Sequence, residues 1–443
     1  MAVRQDMPFA ELFETPLRNG LTKPKAVRGE GMKMVNMGEV FAHRRIHNLD
    51  MDRVPMETKE RNSSLLRGGD LLFARQSLVL SGAGKCVLFQ GDNEDVTFES
   101  HIIRCRLDQQ KAAPAFYFYL FQSTQGRSLI ESIVEQVAAA GIRGSDLGRL
   151  LVPVPPLAEQ KAIAAVLGAL DDKIELNRRM NATLEAMARA LFQSWFVDFD
   201  PVRANMDRRD RSTERSEVNR DGRPPAALAP APAALFPASF QETALGEIPH
   251  GWRLGTLGEL VELRTDRVDA TPAKDSTRYI ALEDMPSKSI DLSSFQLGSA
   301  VNSSITAFRK GDVLFGSMRP YFHKVGLAFF DGITRTTTFV LRPRKDCFRY
   351  FALLNFFSDD VVAHSTTASV GTTIPYVRWD SMQSYRIPIP PDSLLEAFEK
   401  SVSPLVQRIA AQGEESRTLA TLRDTLLPKL LSGELSAVTD VSK

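Results

Sequence analysis

The chain has 443 residues, of which 43% are hydrophobic and 25% are charged, and its formal net charge is +1. This length allows two or three domains with separate cores, and the composition is that of an ordinary globular protein. A near-neutral chain that binds nucleic acid must concentrate its positive charge on one face or share its phosphate contacts with a partner.

We expect a cytoplasmic protein without a membrane segment. No apolar run approaches the roughly 20 residues of a membrane span, and the first residues lack the apolar core of a signal peptide. Cys86, Cys105 and Cys347 are widely spaced and form no Cys-x-x-Cys pair. This spacing indicates buried free thiols rather than a disulfide framework or a zinc ribbon.

Residues 1–156 predict a first module of mixed α/β structure. Within it, residues 87–89 and 102–107 have the composition of short strands, and residues 115–122 and 129–137 that of helices.

Residues 157–199 predict a long helix with one apolar seam. Asn177 and Asn181 lie in the middle of this seam. Its apolar members, spaced three and four apart, are Ile163, Leu167, Leu170, Ile174, Leu184 and Leu191.

Residues 200–247 have the composition of a linker. The segment is rich in arginine and acidic residues from Arg203 to Arg223 and then rich in proline and alanine to Pro237. Such a linker is semi-rigid where proline is dense.

Residues 248–391 predict a second module of the same mixed type. Its expected strands are 313–315, 326–330 and 337–341, and its expected helix is 350–357.

Residues 392–436 predict a second long helix, before a short tail at 437–443. Gln412 and Ser416 lie in the middle of its seam. The apolar members of the seam are Phe398, Val402, Leu405, Ile409, Leu419, Leu426 and Leu430.

We predict that the two long helices pair as an antiparallel coiled coil with polar centre against polar centre. A parallel pair in register would match the centres equally well. The antiparallel choice rests on chain order, because each module precedes its own helix and a pseudo-two-fold axis then places the modules at opposite ends.

An internal repeat supports two similar modules. Val-Pro-Val-Pro-Pro at 152–156 returns as Ile-Pro-Ile-Pro-Pro at 387–391, and Gly69-Asp70 returns as Gly311-Asp312 within similar apolar strands. Weaker matches join 10–14 to 258–262 and 141–143 to 371–373 in the same order along the chain. Order shared by several short matches indicates duplication more strongly than any one of them.

We find no motif that could catalyse a reaction or hold a metal or cofactor. Residues 81–86 resemble a phosphate loop but lack its first glycine and its final Ser or Thr. His-Glu-x-x-His, Gly-x-Ser-x-Gly and the Asp/Asn-Pro-Pro-Tyr/Phe signature of amino-methyltransferases do not occur in the sequence. We therefore expect no catalytic residues, no metal site and no cofactor bound by this chain.

Four segments resemble the specificity (S) subunits of type I restriction–modification systems. Residues 153–163 resemble the start of the first long helix in that family, and residues 191–202 resemble its end. Residues 245–252 resemble the lead into a target recognition domain, and residues 422–435 resemble the C-terminal helix. The first module lacks the Pro-x-Gly-Trp lead, which makes its boundary near residue 1 less defined. The second helix lacks the Glu159-Gln160 pair of the first, which weakens any partner contact assigned to that pair.

The resemblance implies a DNA-reading subunit that catalyses nothing itself. Each of two target recognition domains would read one half of a split, asymmetric DNA sequence. The paired helices would hold two modification subunits, which bind S-adenosylmethionine and methylate adenine. Restriction subunits that use ATP and Mg²⁺ to cleave unmodified DNA are the further partners implied.

The expected helix length fits such a task. A helix of about 35 residues spans about 50 Å, which is on the order of fifteen base pairs of DNA. Two modules on such a helical ruler would contact DNA at two places with an unread gap between them.

The candidate DNA-reading residues are polar side chains in loops that follow strands, because base edges need donors and acceptors that reach into a groove. Any of them could instead contact phosphate. In the first module they are Arg75, Gln76, Lys85, His101 and Arg143, and in the second module they are Ser317, Arg319, Tyr321, His323, Lys324, Arg335 and Thr373.

Two other functions are compatible with the same residues. The chain could be an orphan DNA-binding module without active partners, which only neighbouring genes would reveal. It could also be a coiled-coil scaffold that joins two protein-binding domains, which would show no salt-dependent affinity for DNA.

Overall fold

The computed structural model describes residues 5–136, 140–213, 233–268, 277–297 and 305–437. The chain divides into two compact units, one formed by residues 1–173 with 419–443 and the other by residues 174–418. Residues 214–232 of the predicted linker (200–247) and residues 438–443 of the predicted tail (437–443) lie outside the described residues. None of the described helices is both long enough and apolar enough to cross a bilayer.

The main sheet of the first unit has five strands that lie, in order, at Phe13–Asn19, Ile102–Leu107, Leu71–Ala74, Cys86–Gly91 and Arg45–His47. All neighbours are antiparallel except the last pair. The smaller ladders of this unit are Gln5–Pro8 with Leu151–Val154, Arg53–Val54 with Met32–Val35 and Val96–Phe98, and Glu135–Gln136 with Ala140–Gly141 and Gln76–Ser77.

Short helices cover the first unit's sheet, whose central strands are fully buried. Ser123 begins one of them, since its hydroxyl accepts a hydrogen bond from the Gly126 amide at 3.1 Å. The α-helices are Met37–Ala42, Thr58–Ser64, Pro114–Gln122, Thr124–Glu131 and Gly144–Arg149, and the 3-10 turns are Phe9–Leu12, Lys25–Val27 and Leu80–Gly82.

The second unit repeats the four-strand centre of the first sheet in the same order. Its strands are Val261–Arg264, Thr338–Pro343, Val313–Gly316 and Val325–Leu327, all antiparallel. The other strands are Arg267–Val268, Ile305–Phe308, Gly332–Arg335, Arg278–Ile280 and Gln296–Leu297 in a second sheet, Phe240–Thr243 with Gly246–Pro249, and Arg253–Thr256 with Arg386–Ile389.

The last three α-helices of the second unit follow the order of the last three of the first. Ser358 caps the N-terminus of the helix Asp359–Thr367, as Ser123 caps Thr124–Glu131, and its hydroxyl accepts a hydrogen bond from the Val361 amide at 3.3 Å. The α-helices are Asp200–Thr213, Leu257–Leu260, Arg349–Phe356, Asp359–Thr367 and Trp379–Gln383, and the 3-10 turns are Ala233–Leu235, Pro320–Phe322 and Asp346–Phe348. The prediction of two similar mixed α/β modules is therefore confirmed.

Each module is followed by a long helix, Leu157–Phe192 in the first case and Asp392–Ser432 in the second. In the second unit, Asn177 contacts Ser416, and Asn181, one turn further along, contacts the carbonyl of Ile409. As residue numbers rise along the first long helix, the numbers of the residues they contact on the second long helix therefore fall. The predicted antiparallel coiled coil is confirmed.

The predicted helix at 129–137 is wrong in its second half. The helix Thr124–Glu131 ends where the amides of Ile133 and Val134 turn back to the carbonyls of Ile130 and Glu131. The chain then enters the strand Glu135–Gln136. β-Branched residues at 133 and 134 favour this extended continuation, while Val137 lies outside the described residues.

Two other predicted elements differ from the structure. The strand expected at 326–330 is Val325–Leu327, because the chain bends at Phe329 and Phe330 to begin the strand Gly332–Arg335. The segment expected to be linker from residue 200 begins with the helix Asp200–Thr213. The aspartate at the first position of this helix interacts favourably with the positive end of the helix dipole. This helix-start signal is hard to recognise in the sequence, because the whole segment is highly charged.

Candidate DNA-reading surface

The repeated Gly-Asp motif forms the same turn in both modules. Asp70 is buried, accepts a hydrogen bond from the Arg67 amide at 2.7 Å and holds Arg106 with two bonds of 2.7 Å. Asp312 likewise accepts from the Arg309 amide at 2.7 Å and holds Arg342 with two bonds of 2.8 Å. Such two-point bonds fix both partners firmly. The motif is therefore a structural anchor for the strand that follows it.

The residue after this strand is held by the same two backbone contacts in each module. In the first, the Arg75 amide donates to the His101 carbonyl at 2.8 Å, and the Arg75 carbonyl accepts from the Ile142 amide at 2.9 Å. In the second, Ser317 makes the equivalent bonds to Thr337 and Val377, both at 2.9 Å. Arg75 and Ser317 therefore occupy the same place at the start of two similar loops. We call residues 75–85 the first strand-end loop and residues 317–324 the second strand-end loop.

Three predicted residues of the first module present unoccupied polar side chains at this place. Gln76 and His101 are exposed and Arg75 is half-exposed. None of the three side chains forms a hydrogen bond or ion pair with any residue that the structure describes. Since the Arg75 amide bonds to His101, they form one group that can offer donors and acceptors to a ligand.

Three predicted residues of the second module form a comparable group. The Arg319 amide donates to the Pro375 carbonyl at 2.7 Å, which brings Arg319 to the loop that carries exposed Thr373. Tyr321 is half-exposed and follows Arg319 in the second strand-end loop. Among described residues, no side chain bonds to those of Arg319, Tyr321 or Thr373.

Three other predicted residues are bonded within their own modules. Lys85 Nζ donates to the Phe41 carbonyl at 2.7 Å, and burial together with nearby Arg44 lowers its pKa. Lys324 Nζ donates to the Leu282 carbonyl at 2.7 Å. Ser317 is buried, and its hydroxyl donates to the Thr337 carbonyl at 2.7 Å. Each of these three groups therefore has a backbone carbonyl partner within its own module.

His323, Arg143 and Arg335 differ in how far they can reach a ligand. His323 is buried, and its Nε2 donates to the Phe357 carbonyl at 2.8 Å. Burial lowers its pKa, which favours the neutral form of the ring. Arg143 is exposed and pairs with Glu135 at 2.7 Å, a contact weak enough to exchange for another anion. Arg335 is half-buried, and its Nε has no hydrogen-bond partner among the described residues.

The structure also exposes apolar side chains that the polar-residue criterion overlooked. In the first strand-end loop, Leu78 is 97% exposed, Val79 59% and Leu80 46%. In the second, Tyr321 is 50% exposed and Phe322 44%, with their ring centroids 4.8 Å apart. We call these groups the first and second apolar tips. The sequence did contain a signal for the first apolar tip. Three apolar residues occur between Gln76 and Gly82, in a short stretch outside any predicted strand.

The predicted polar centre of the helix pair lies within the second unit. Asn177 Nδ2 donates to Glu415 Oε2 at 2.8 Å and to Ser416 Oγ at 3.2 Å. Asn181 Nδ2 donates to the Ile409 carbonyl at 3.3 Å. Gln412 is buried, and its carbonyl accepts from the Ser416 hydroxyl at 2.7 Å. Polar groups placed in an apolar seam restrict the register in which the two helices can pair.

Two segments that carry the family resemblance have structural roles. Gln160 is fully buried, accepting from the Ala113 amide at 2.8 Å and donating to the Pro155 carbonyl at 2.8 Å. It therefore ties the start of the first long helix to its own module and is not available to a partner. Trp195 and Phe196, past the end of that helix, are buried in the core of the second unit beside Phe398.

Among the described residues, no group of His, Cys, Asp or Glu side chains could hold a metal ion. Cys86 and Cys105 are buried free thiols, whose pKa values burial raises, and Cys347 is partly buried. The described surface thus offers hydrogen-bond donors, acceptors and apolar tips, which are groups suited to recognition.

Comparison with known proteins places these features in context. Residues 9–186 and 249–401 match the type I restriction modification DNA specificity domain. The specificity subunit of the type I restriction enzyme HindI from Haemophilus influenzae is 24% identical over 438 residues, which cover 90% of this chain and 94% of that protein. The MjaIX specificity subunit of Methanocaldococcus jannaschii is 25% identical over 338 residues, which cover 72% of this chain and 68% of that protein.

A solved structure shows the same fold. The crystal structure of the type I restriction–modification S subunit from M. genitalium covers 97% of both chains with a TM-score of 0.55, at 15% sequence identity. The two matched segments of this chain contain the two Gly-Asp turns and both strand-end loops.

Proposed function

The chain belongs to the family of type I restriction–modification DNA specificity subunits, and from this premise we propose that it reads an asymmetric DNA target in two parts. Each module reads one half-site, and partner subunits carry out methylation and cleavage. The chain itself catalyses neither reaction.

The observation that carries the proposal is one scaffold with two sets of exposed side chains. The Gly-Asp anchor and the backbone bonds of Arg75 and Ser317 are the same in both modules. The polar side chains offered from that scaffold differ. The first module offers Arg75, Gln76 and His101, and the second offers Arg319, Tyr321 and Thr373. Different donors at equivalent places favour different bases, so the two half-sites are unlike and the target is not a palindrome.

Two modification subunits dock on the long helices in this account. Leu176 and Met187 are exposed apolar residues on the first long helix, in the part that belongs to the second unit. They are eleven residues apart, which is about three turns, so they share one helix face. Exposed apolar side chains on one face of a paired helix suit a protein partner.

The cofactors of the complex lie on the partners. S-adenosylmethionine belongs to the modification subunits, and ATP with Mg²⁺ belongs to the restriction subunits of complexes that cleave. We assign the chain to the cytoplasm, because bacterial and archaeal DNA lies there and the chain must reach it to direct methylation.

Salt-dependent DNA binding tests this function. Fluorescence anisotropy of a labelled random-sequence duplex should show affinity that falls linearly with salt on logarithmic axes, by a slope of about 0.9 for each phosphate contact. The purified chain should transfer no methyl group until the modification subunits are added. Absence of DNA affinity at low salt, with intact binding of protein partners, would instead support a coiled-coil scaffold. Methyl transfer by the isolated chain would contradict a purely reading role.

A further inference from the structure

Each apolar tip lies on or beside a 3-10 turn in its strand-end loop, and in the first module Leu78 and Val79 precede that turn. Leu80–Gly82 follows the strand Leu71–Ala74, and Pro320–Phe322 follows the equivalent strand Val313–Gly316. The side chains differ, being aliphatic in one tip and aromatic in the other. What the two tips share is exposed apolar surface in a loop that also carries unoccupied polar groups.

The second apolar tip is held rigidly in a strained turn. Arg319 and His323, which flank it, have φ values of +49° and +51°, although neither is glycine. Left-handed backbone at such residues is costly and persists only where the surroundings hold it. The Phe322 amide bonds to the Arg319 carbonyl at 2.9 Å, the Ser287 hydroxyl donates to the Phe322 carbonyl, and the His323 ring is bonded inside. The two aromatic side chains are therefore presented by a fixed frame.

The first apolar tip is held by a different set of bonds. The guanidinium of Arg127 donates to the Leu80 and Ala83 carbonyls, both at 2.8 Å. Ser77 Oγ accepts from the Val79 amide at 3.2 Å. Gly82 fits tightly, since a Cβ there would lie 2.2 Å from Ser77 Oγ. Rigid exposure of apolar groups has a cost in water, which binding to a ligand would relieve.

The surroundings of the second apolar tip favour DNA as that ligand. Arg319 starts the turn. Lys288 is exposed, and its amide donates to the carbonyl of His323. Arg378 is also exposed and follows Val377, whose amide donates to the carbonyl of Ser317. Asp359 also contacts the loop, 3.5 Å from the His323 ring. Arg319, Lys288 and Arg378, interleaved with apolar groups, match phosphates beside base faces better than an apolar protein surface does.

We propose that the two apolar tips are wedges that insert against a base step in each half-site and unstack it. This inference rests on the proposed function and adds a mechanical step to it. Proteins that kink DNA commonly use Phe, Leu, Ile or Met for such insertion, and a rigid tip loses little entropy on entering the duplex. Unstacking also lowers the cost of extruding a base, which an enzyme that methylates adenine requires.

The test uses the full-length chain with a duplex that it selects from a random pool. 2-Aminopurine replaces the adenines of that duplex one at a time, because its fluorescence rises when it is unstacked. The variants are Tyr321→Ser/Phe322→Ser, which removes the second wedge, and Tyr321→Leu/Phe322→Leu, which gives it the aliphatic character of the first. Leu245→Ser is the matched control, since Leu245 is an exposed apolar residue of the same unit with 50% exposure.

The wild-type chain should raise the fluorescence at one step in each half-site. The serine variant should lose the rise in one half-site only and bind the intact duplex about tenfold more weakly. A duplex with a mismatch or abasic position at that step should restore its affinity, since no unstacking remains to be done. The leucine variant should keep the fluorescence rise, because aliphatic side chains can still insert, while it loses any base contact of the Tyr321 hydroxyl. The control should behave like the wild type.

Other results would overturn the wedge. Sequence-specific binding without a fluorescence change at any position excludes unstacking. Equal weakening on intact and opened duplexes shows that the tip acts otherwise, and loss of modification-subunit binding with normal DNA behaviour identifies a protein interface. Failure of the wild type to bind any duplex overturns the proposed function together with the wedge. If the serine variant does not fold, the 2-aminopurine fluorescence with the wild-type chain still tests whether a base step is unstacked.

Discussion

Asp171 on the first long helix forms an ion pair with Arg423 on the second long helix, with 2.6 Å between Oδ1 and Nη1, although 252 positions separate them in the sequence. Each side chain is less than one tenth exposed. The hydroxyl of Tyr119 donates to the other carboxylate oxygen at 2.8 Å. A single carboxylate therefore joins the first module to both long helices within the first unit.

Removing this carboxylate should destabilise the first unit strongly. In Asp171→Ala, Arg423 keeps the exposed Asp424 but loses its buried partner, and the Tyr119 hydroxyl loses its acceptor. We expect a loss of about 3 kcal/mol in the free energy of unfolding, measured by hydrogen exchange of the amides in residues 157–173. The neighbouring residue gives a matched control. Asp172 pairs with Arg45 but is 70% exposed, so Asp172→Ala should cost less than about 1 kcal/mol. Equal losses would show that burial does not set the value of these pairs.

The Gly-Asp anchor allows a second comparison of the stability that a buried and an exposed ion pair contribute. Asp312→Ala removes the two bonds to Arg342 and leaves the Arg309 amide without its acceptor. We expect the second unit to lose about 3 kcal/mol of unfolding free energy. Asp346 also pairs with an arginine, but its side chain is 99% exposed, so Asp346→Ala should change stability little. Denaturant unfolding of both variants measures the difference, and a stable Asp312→Ala variant would remove the anchor role.

The internal repeat makes much of the fold predictable from the sequence. Gly69 and Gly311, with φ of +99° and +93°, need the conformation that glycine adopts easily, and the aspartate after each is the partner of a buried arginine. These local requirements leave a visible motif in the sequence. The arginines Arg106 and Arg342 leave no such signal, because their pairing depends on which strands become neighbours in the sheet.

The reading surface is less predictable, because exposure depends on distant acceptors. Lys324 and His323 lie in the expected loop, yet both side chains donate to carbonyls of their own module. The Leu282 carbonyl, 42 positions from Lys324, accepts from Lys324, and the Phe357 carbonyl, 34 positions from His323, accepts from His323. Residue type alone does not reveal such bonds. The apolar tips are overlooked for the converse reason, since Leu78 and Phe322 have the composition of core residues but lie on the surface.

We predict that the buried His323 makes the second unit lose stability in acid. Burial lowers the folded pKa of His323, and Lys288 and Arg189 act in the same direction, whereas the hydrogen bond to Phe357 and the charge of Asp359 oppose it. The unfolded chain therefore binds the proton more tightly. The stability that His323 contributes is therefore present above about pH 6.5 and is lost as the pH falls from there toward the folded pKa.

Unfolding experiments at pH 7 and pH 5 measure this effect. The wild type should lose more unfolding free energy between the two values than His323→Gln, whose amide can still donate to the Phe357 carbonyl but does not titrate. His250→Gln, at an exposed histidine of the same unit, serves as the control. The same pH dependence in wild type and His323→Gln would contradict the account of this residue.

Arg319 should contact either a base edge or a phosphate, and the two outcomes differ. If Arg319 meets a base, Arg319→Ala should lose about 1–3 kcal/mol of discrimination at one position of one half-site. If it meets phosphate, binding should weaken for all sequences and the salt slope should shrink by about one. Competition binding against single-base variants at two salt concentrations separates these outcomes. Wild-type behaviour of Arg319→Ala would remove this residue from the surface, and relaxed reading in both half-sites would contradict independent modules.

The most direct test of two-part reading is the map of methylated adenines in a host that carries this chain with its modification subunits. We predict a motif of two unlike specified segments separated by a gap of fixed length and free sequence. Substituting Arg75, Gln76 and His101 together with alanine should alter one segment and leave the other unchanged. A single contiguous motif, a palindrome, or simultaneous change in both segments would contradict the account.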